Sequence, residues 1–432
     1  MFLWARHPTE LMDLCQHVYG KMFTLRLPGF APVMTADRAV IRTMFAAKPD
    51  EMHGGRFNFI LRPLVGDSSV LLLDGDEHLQ RRRLLLPPLH GERMRVYGAS
   101  MADITRRTIE GFPVGVPFKL HPHTQEITLQ VILRTVFGAE EGGGMEALSG
   151  QIKHMLAQLE QPLSFWQLLH LAQHPQKEDK VPWKWLLRRR NATDALLYEL
   201  IAAGRRDPAQ HMRKDVLALL LSARDDRGQG LSDRDLRNEL IAALAAGHET
   251  TATSLAWAVE RLLSNPEQYA RLRDEVRALG SDPAPEQLVA LPYLDATLKE
   301  VLRLRPVIPI LGRVLMKPYT FGGYDLPAGT ALIASVYLVH RDPEVYPDPE
   351  AFRPERFLEG QPDGASYFPF GGGVRRCTGA AFAMYEMKIV LGTMLALCDL
   401  ELAQRSPVRA VRRAVTLWPR GGTRVRALRV AA

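Results

Sequence analysis

The stretch from Ser232 to Pro266 constrains this chain more than any other. Apolar side chains recur at helical intervals (Leu236, Leu240, Ala243, Leu244, Thr251, Leu255, Ala258, Leu262), Ser232 and Asp235 stand at capping-box spacing before them, and Asn265-Pro266 closes the run. At ~1.5 Å per residue such a helix is on the order of 45–50 Å long, enough to cross a whole domain, so it is expected at the centre of the fold. Its middle, Ala246-Gly247-His248-Glu249-Thr250-Thr251, suits a helix poorly. A glycine there costs about 1 kcal/mol, and adjacent threonines lose rotamer freedom. Gly247 would let a flat ligand approach, and the Thr250 hydroxyl can take the Ala246 carbonyl, bending the ladder and opening a polar notch for oxygen and water. Taken alone, the segment reads as a kink that relieves packing. A zinc-protease reading fails, because the position four residues after His248 is Ala252.

Two further constellations change the weight of that helix. In Leu294-Asp295-Ala296-Thr297-Leu298-Lys299-Glu300-Val301-Leu302-Arg303, a helix stopped by Pro306, Glu300 and Arg303 lie one turn apart; by itself such a pair is an ordinary surface ion pair. Phe352-Arg353-Pro354-Glu355-Arg356-Phe357 follows, with an arginine between aromatic anchors. Then comes Phe370-Gly371-Gly372-Gly373-Val374-Arg375-Arg376-Cys377-Thr378-Gly379-Ala380, running into an apolar helix through Phe382, Met387 and Leu391. A cysteine at a helix start is expected to have its pKa lowered by backbone N–H groups and the helix dipole, which favours a thiolate able to bind a soft metal. The glycines would admit a large flat ring, Phe370 could shield the sulfur, and Arg375 is a fixed cation suited to a carboxylate. No dinucleotide loop is present, since Arg376 occupies the third glycine position. Cys15 and Cys398 read as small buried hydrophobes.

The remaining sequence reads as mainly α with a small β portion drawn from both ends: strands near Phe23–Leu27 and Pro32–Thr35 about a turn at Pro28-Gly29, helices from Ala36 to about residue 300, and strands again between Val307 and Val336. No linker or repeat divides the 432 residues, so one domain, 1–432, is expected. Three cysteines are too few for a disulfide framework and point to a reducing, cytoplasmic setting. The opening Met-Phe-Leu-Trp-Ala-Arg ends its apolar run too soon for a signal peptide or membrane anchor. The net charge of +7 rests on short clusters such as Arg81-Arg82-Arg83 and Arg188-Arg189-Arg190, read as solvated helix faces, and no nucleic-acid motif accompanies them.

With these motifs in place, the chain resembles the cytochrome P-450 family in its soluble bacterial form, over nearly its whole length. The resemblance implies the P-450 fold and haem b (iron protoporphyrin IX), with Cys377 as the metal ligand whose electron donation favours O–O cleavage. It also implies haem contacts from His78, Arg82, Arg313, Phe370, Arg375 and Gly379, a structural network of Glu300, Arg303 and Arg356, and proton delivery by Glu249 and Thr250. The implied reaction inserts one oxygen atom of O2 into a C–H bond of a lipophilic small molecule such as a fatty acid, terpenoid or polyketide. Electrons would come from a ferredoxin-type donor with its reductase, because no reductase segment follows Cys377. Apolar residues at Gly54–Val70 (Phe57, Phe59, Leu61, Leu64), near Phe165-Trp166 and at Ile308–Leu311 are the expected lids. A peroxide-driven enzyme of the same fold and a non-enzymatic haem sensor are the alternatives.

Overall fold

Ser232 starts the central helix as the sequence pattern requires: its hydroxyl accepts from the Asp235 backbone N–H at 3.1 Å, satisfying one of the orphan donors of the first turn. The computed structural model describes residues 7–26, 30–91, 93–138, 143–159, 164–174, 184–225, 228–404, 407–413 and 415–430. Pro28-Gly29, Gly142 and Asp226-Arg227 lie outside them, as do the side chains of Phe165 and Trp166. Helices longer than one turn, in chain order, are α1 (Pro8–Tyr19), α2 (Arg38–Ala46), α3 (Gly75–Leu85), α4 (Arg93–Glu110), α5 (His121–Phe137), α6 (Gly143–Leu159), α7 (Ser164–Gln173), α8 (Lys184–Arg206) and α9 (Val216–Ser222). There follow the central helix α10 (Asp233–Leu263), α11 (Pro266–Arg277), α12 (Pro285–Ala290), α13 (Pro292–Leu304) and α14 (Ala380–Leu397).

α10 serves two cores at once. Its N-terminal half packs Leu236, Leu240 and Leu244 with residues of α5, α6, α8 and α9, while its C-terminal half packs Leu255, Trp257 and Leu262 with α4, α11, α13 and α14. An amphipathic stripe is therefore an incomplete description, because polar residues of its first turns are buried too. Arg237 donates from Nε to Asp194 at 2.7 Å, Asn238 donates to the Ser68 hydroxyl at 2.8 Å, and Glu239 accepts from the Val70 N–H at 2.8 Å and from Arg81 at 3.0 Å. Arg81, read from sequence as part of a solvated face, is instead drawn inward by Glu239 and Asp235.

The β portion does come from both ends of the chain. β1 (Met22–Thr24), β2 (Val33–Thr35), β3 (Met52–His53), β5 (Ile310–Leu315) and β8 (Ala331–Ser335) form one sheet in the order β1-β2-β8-β5-β3. Its β2–β8 pair is parallel, with Met34 beside Ile333. β4 (Pro117–Lys119), β9 (Cys398–Leu402) and β12 (Arg424–Val430) form a second sheet. β6 (Tyr319–Phe321) with β7 (Tyr324–Leu326), and β10 (Ala410–Arg413) with β11 (Thr416–Pro419), are hairpins. Strands β3 and β4 interrupt the region read as wholly helical; both are too short to show a period. Among the described residues α14 alone is long and apolar enough to cross a membrane, and most of it is buried in the core around the C-terminal half of α10.

Ser232→Ala is expected to lower stability by about 1 kcal/mol, the usual cost of losing an N-cap, in equilibrium urea unfolding. An unchanged midpoint would mean that packing alone fixes the start of α10.

Candidate functional site

The cysteine loop is shaped by its glycines, but not in the way the sequence suggests. Gly371 and Gly373 have φ of +73° and +62°, a left-handed conformation natural to glycine. A Cβ on Gly372 would lie 2.3 Å from the Phe45 ring, and one on Gly373 would lie 2.2 Å from the Phe45 carbonyl oxygen. These two glycines permit the close approach of α2. The Cys377 N–H donates to the Phe370 carbonyl at 2.8 Å and closes the loop. Gly379 leaves the thiol's flank open: its Cβ would sit 4.0 Å from Cys377 Sγ with no other neighbour that close.

Cys377 is the exposed cysteine, whereas Cys15 and Cys398 are buried. Surface that is accessible but closely surrounded by protein places the thiol in a recess. Desolvation there pushes its pKa up, against the opposing pull of the Gly379 N–H and the charges of Arg82 and Arg376. The expected lowering does not prevail. α14 begins only at Ala380, so Cys377 lies ahead of the helix and not in its first turn.

Cations gather beside this recess. Arg82 acts electrostatically on Cys377, and Arg82, Arg313 and Arg375 all act on His78. Burial, reinforced by those three charges, drives the His78 pKa down to about 3, so the imidazole is neutral near pH 7. Burial and Arg375 lower Arg313 to about 10. The acid in contact is Asp74, which takes Arg375 in an ion pair while accepting from the Gly55 and Arg56 N–H groups at 2.8 and 2.9 Å. Arg375 also donates to the carbonyls of Val70, at 3.1 Å, and Leu73. Three arginines against one carboxylate leave a positive surplus that a ligand with two carboxylates would offset.

On α10, the Thr250 hydroxyl donates to the Ala246 carbonyl at 2.7 Å, the back-bond its sequence position suggests. Ala246 is exposed although Leu244 and His248 beside it are buried, so this part of the helix lines open space inside the fold. Gly247 also makes room for a neighbouring helix, since a Cβ there would press on Ile132 of α5 at 3.0 Å. Glu249 is not turned toward Thr250. Its carboxylate accepts from Gln125 at 2.7 Å and from the Thr253 hydroxyl at 3.2 Å, and lies 3.4 Å from His121 Nε2. Burial alone would raise its pKa, but His121, Gln125 and His248 outweigh that and hold it below the ordinary carboxylate value.

Glu300 and Arg303 are both fully buried and form a bidentate pair at 2.7 and 2.8 Å. Arg303 donates further to the carbonyls of His340 and Pro349, each at 2.7 Å, and of Ala351 at 3.2 Å. Glu300 also accepts from the Arg353 N–H at 2.9 Å, with Arg356 Nε 3.5 Å away. The pair is therefore not a surface one. His340, unremarked in the sequence, extends the network: its Nε2 accepts from the Phe368 N–H at 3.0 Å, and the Phe368 carbonyl accepts from the Gly371 N–H at 2.9 Å. Two hydrogen bonds thus run from His340, whose own carbonyl Arg303 holds, to the cysteine loop. Asp74, His121, Gln125 and Phe45 were likewise missed, because each acts across a long sequence separation with no motif to mark it.

Two apolar expectations resolve into packing. Phe57 lies where a Cβ on Gly312 would be, at 2.2 Å, and Leu64 belongs to the core around the N-terminal half of α10. Phe59 and Leu61 remain partly exposed, as do Ile308, Ile310 and Leu311.

The chain's relatives define its class, the oxygen-activating haem-thiolate monooxygenases. The family model described as Cytochrome P450 matches residues 1–425. Cytochrome P450 135B1 of Mycobacterium tuberculosis is 41% identical over 426 residues, covering 98% of this chain and 88% of that protein. Cytochrome P450 138 of the same organism is 37% identical, covering 94% and 89%. Among solved structures, a retinoic acid-bound cyanobacterial CYP120A1 superposes with a TM-score of 0.81 at 26% identity, covering 96% of this chain and 93% of that one. The chain belongs to the cytochrome P450 family, and so is a haem-using oxidoreductase that takes O2 and electrons from a redox partner.

Arg303→Met, which keeps bulk but removes the charge, is expected to cost about 3–5 kcal/mol in urea unfolding by stranding Glu300. A loss under about 1 kcal/mol would show the pair to be dispensable.

Proposed function

We propose that residues 1–432 form one haem domain that hydroxylates a lipophilic small molecule, with haem b held by this chain's own recess. The observation that carries the reading is the exposed, loop-held thiol of Cys377 beside a surplus of buried arginine charge. The residues present fit the group: Cys377 would ligate the iron, Gly379 keeps the flank of Sγ clear, Phe370 would cover the sulfur, and Arg82, Arg313 and Arg375 with neutral His78 would take the two propionates. Bound there, haem supplies the activation of O2 and its transfer into a C–H bond.

The chain's own contribution is charge placement and proton supply. Metal binding must take the proton from a thiol whose pKa burial has raised, which the neighbouring Arg82 and Arg376 charges assist. Glu249, ionised near neutrality, exchanges protons from the α5 side, where Gln125 and His121 hold it. Thr250 Oγ1 gives its own proton to the Ala246 carbonyl, which leaves its lone pairs free to accept from, and so to order, the water that delivers the proton. Since Glu249 faces α5 and Thr250 the exposed strip around Ala246, water links the two.

A lipophilic substrate, of fatty acid, terpenoid or polyketide type, is supported by the partly exposed apolar residues Phe59, Leu61, Ile308 and Leu311, and by the retinoic acid carried by the cyanobacterial structure. A ferredoxin-type donor with its reductase would supply electrons, with exposed Arg376 in its docking face. Three unpaired cysteines suit a reducing cytoplasm.

The deciding measurement is the absorption spectrum of the reduced, carbon monoxide-bound protein. The Soret band is expected at the strongly red-shifted position of a thiolate-ligated haem, and Cys377→His is expected to abolish that shift; a histidine-like spectrum in the unsubstituted protein would overturn the assignment. Thr250→Ala is expected to leave this spectrum intact while lowering product formed per reduced cofactor consumed and raising hydrogen peroxide. Unchanged coupling would remove Thr250 from the proton path. Turnover with peroxide alone, and none with an electron donor, would favour the peroxide-driven alternative.

A further inference from the structure

Arg305 stands two residues beyond the buried Glu300–Arg303 pair and has no acid of its own. It lines a cavity of about 200 Å³ whose floor is apolar, built from Trp257, Leu304, Val408 and Leu417, with Glu10 and Arg409 at the rim. The Arg305 Nε is shut off from solvent and has no hydrogen-bond partner, while Nη1 makes only a 3.3 Å contact with the Leu304 carbonyl. The guanidinium lies over the Trp257 ring at 5.0 Å, which satisfies one face and leaves its N–H edge unmet.

The nearby carboxylates are already taken. Glu260 is bound by Arg261, and Glu350 by Arg341 at 2.7 Å. At the rim Glu10 accepts from the Thr9 hydroxyl at 2.7 Å and lies 3.2 Å from His7. Among the described residues no carboxylate oxygen lies within ion-pair distance of Arg305. The adjoining segments 1–6 and 405–406 contain no acidic residue. Burial, with Arg261 and Arg341 adding to it, lowers the Arg305 pKa only to about 10, so it stays charged near neutrality. A part-buried cation whose Nε is cut off from water and unpaired is costly beside open space, and an anion entering that space would relieve the cost.

We propose that this cavity, between α1, the end of α13 and the β10–β11 hairpin, is a second ligand site that binds a small monocarboxylate with an apolar body. The carboxylate takes the free edge of Arg305 and the apolar body rests on Trp257 and Leu417. At about 200 Å³ the site is smaller than the roughly 300–1,000 Å³ of drug-sized pockets, which limits the occupant to a single ring or short chain. The site lies ten residues along α10 from Gly247, about 15 Å at the helical rise, and shares no residue with the haem recess.

The test is calorimetric titration of the full-length, haem-loaded protein with sodium phenylacetate and, separately, with phenylacetamide, its neutral counterpart. The acid is expected to bind without altering the haem absorption spectrum, and the amide at least about tenfold more weakly, the order expected for one charge-assisted hydrogen bond. Arg305→Gln is expected to weaken the acid by at least about tenfold as well. Ala410→Trp, which puts bulk into the cavity while leaving residue 305 an arginine, is expected to abolish binding, and it decides the question with the amide if Arg305→Gln does not fold. Equal affinity for acid and amide, undiminished binding to either variant, a haem spectral shift on adding the acid, or no binding at millimolar concentration would each overturn the proposal.

Discussion

A guanidinium taken wholly out of water sets the terms for the rest of this fold. Arg303 has no exposure, and its donors go to Glu300 and to the carbonyls of His340, Pro349 and Ala351. Such a pair adds little net stability, because desolvation offsets most of the attraction, but it tolerates no partial version. Every segment supplying an acceptor must be in place before the charge can be buried. That requirement fixes the irregular chain from 340 to 353 against α13. Through the ring of His340 it also fixes the backbone at Phe368 and Gly371, where the cysteine loop begins.

The cysteine loop is held from a second direction by α2. Phe45 occupies the volume that side chains on Gly372 and Gly373 would need, and its ring meets Phe368 edge to face at 5.2 Å. Cys377 is therefore positioned by two elements that meet at Phe368. A metal ligand on irregular backbone needs that support, since a displacement of about 1 Å is enough to spoil coordination.

Much of this was legible in the residues. The long helix, its cap at Ser232, the back-bond from Thr250 to Ala246 and the split origin of the sheet all rest on local spacing, and local spacing is what periodicity reports. Expectations failed where distant parts of the chain meet. Gly247, Gly372 and Gly373 make room for Ile132 and Phe45, and no pattern near them announces those partners. The cysteine pKa was read from a helix dipole, yet desolvation by the surrounding fold is the larger effect, and burial is a tertiary property. Arg81 looked like one of three solvated arginines until Glu239, far along the chain, claimed it.

Ala246 is a small exposed residue in the middle of a helix otherwise packed on nearly every side. Most positions on α10 are closed to change, because altering them costs core packing or strands a buried polar group. Here side-chain volume can grow into open space while the fold's energetics stay as they are. The packing of the fold therefore sets no limit on side-chain size at this position; whatever occupies the internal space does.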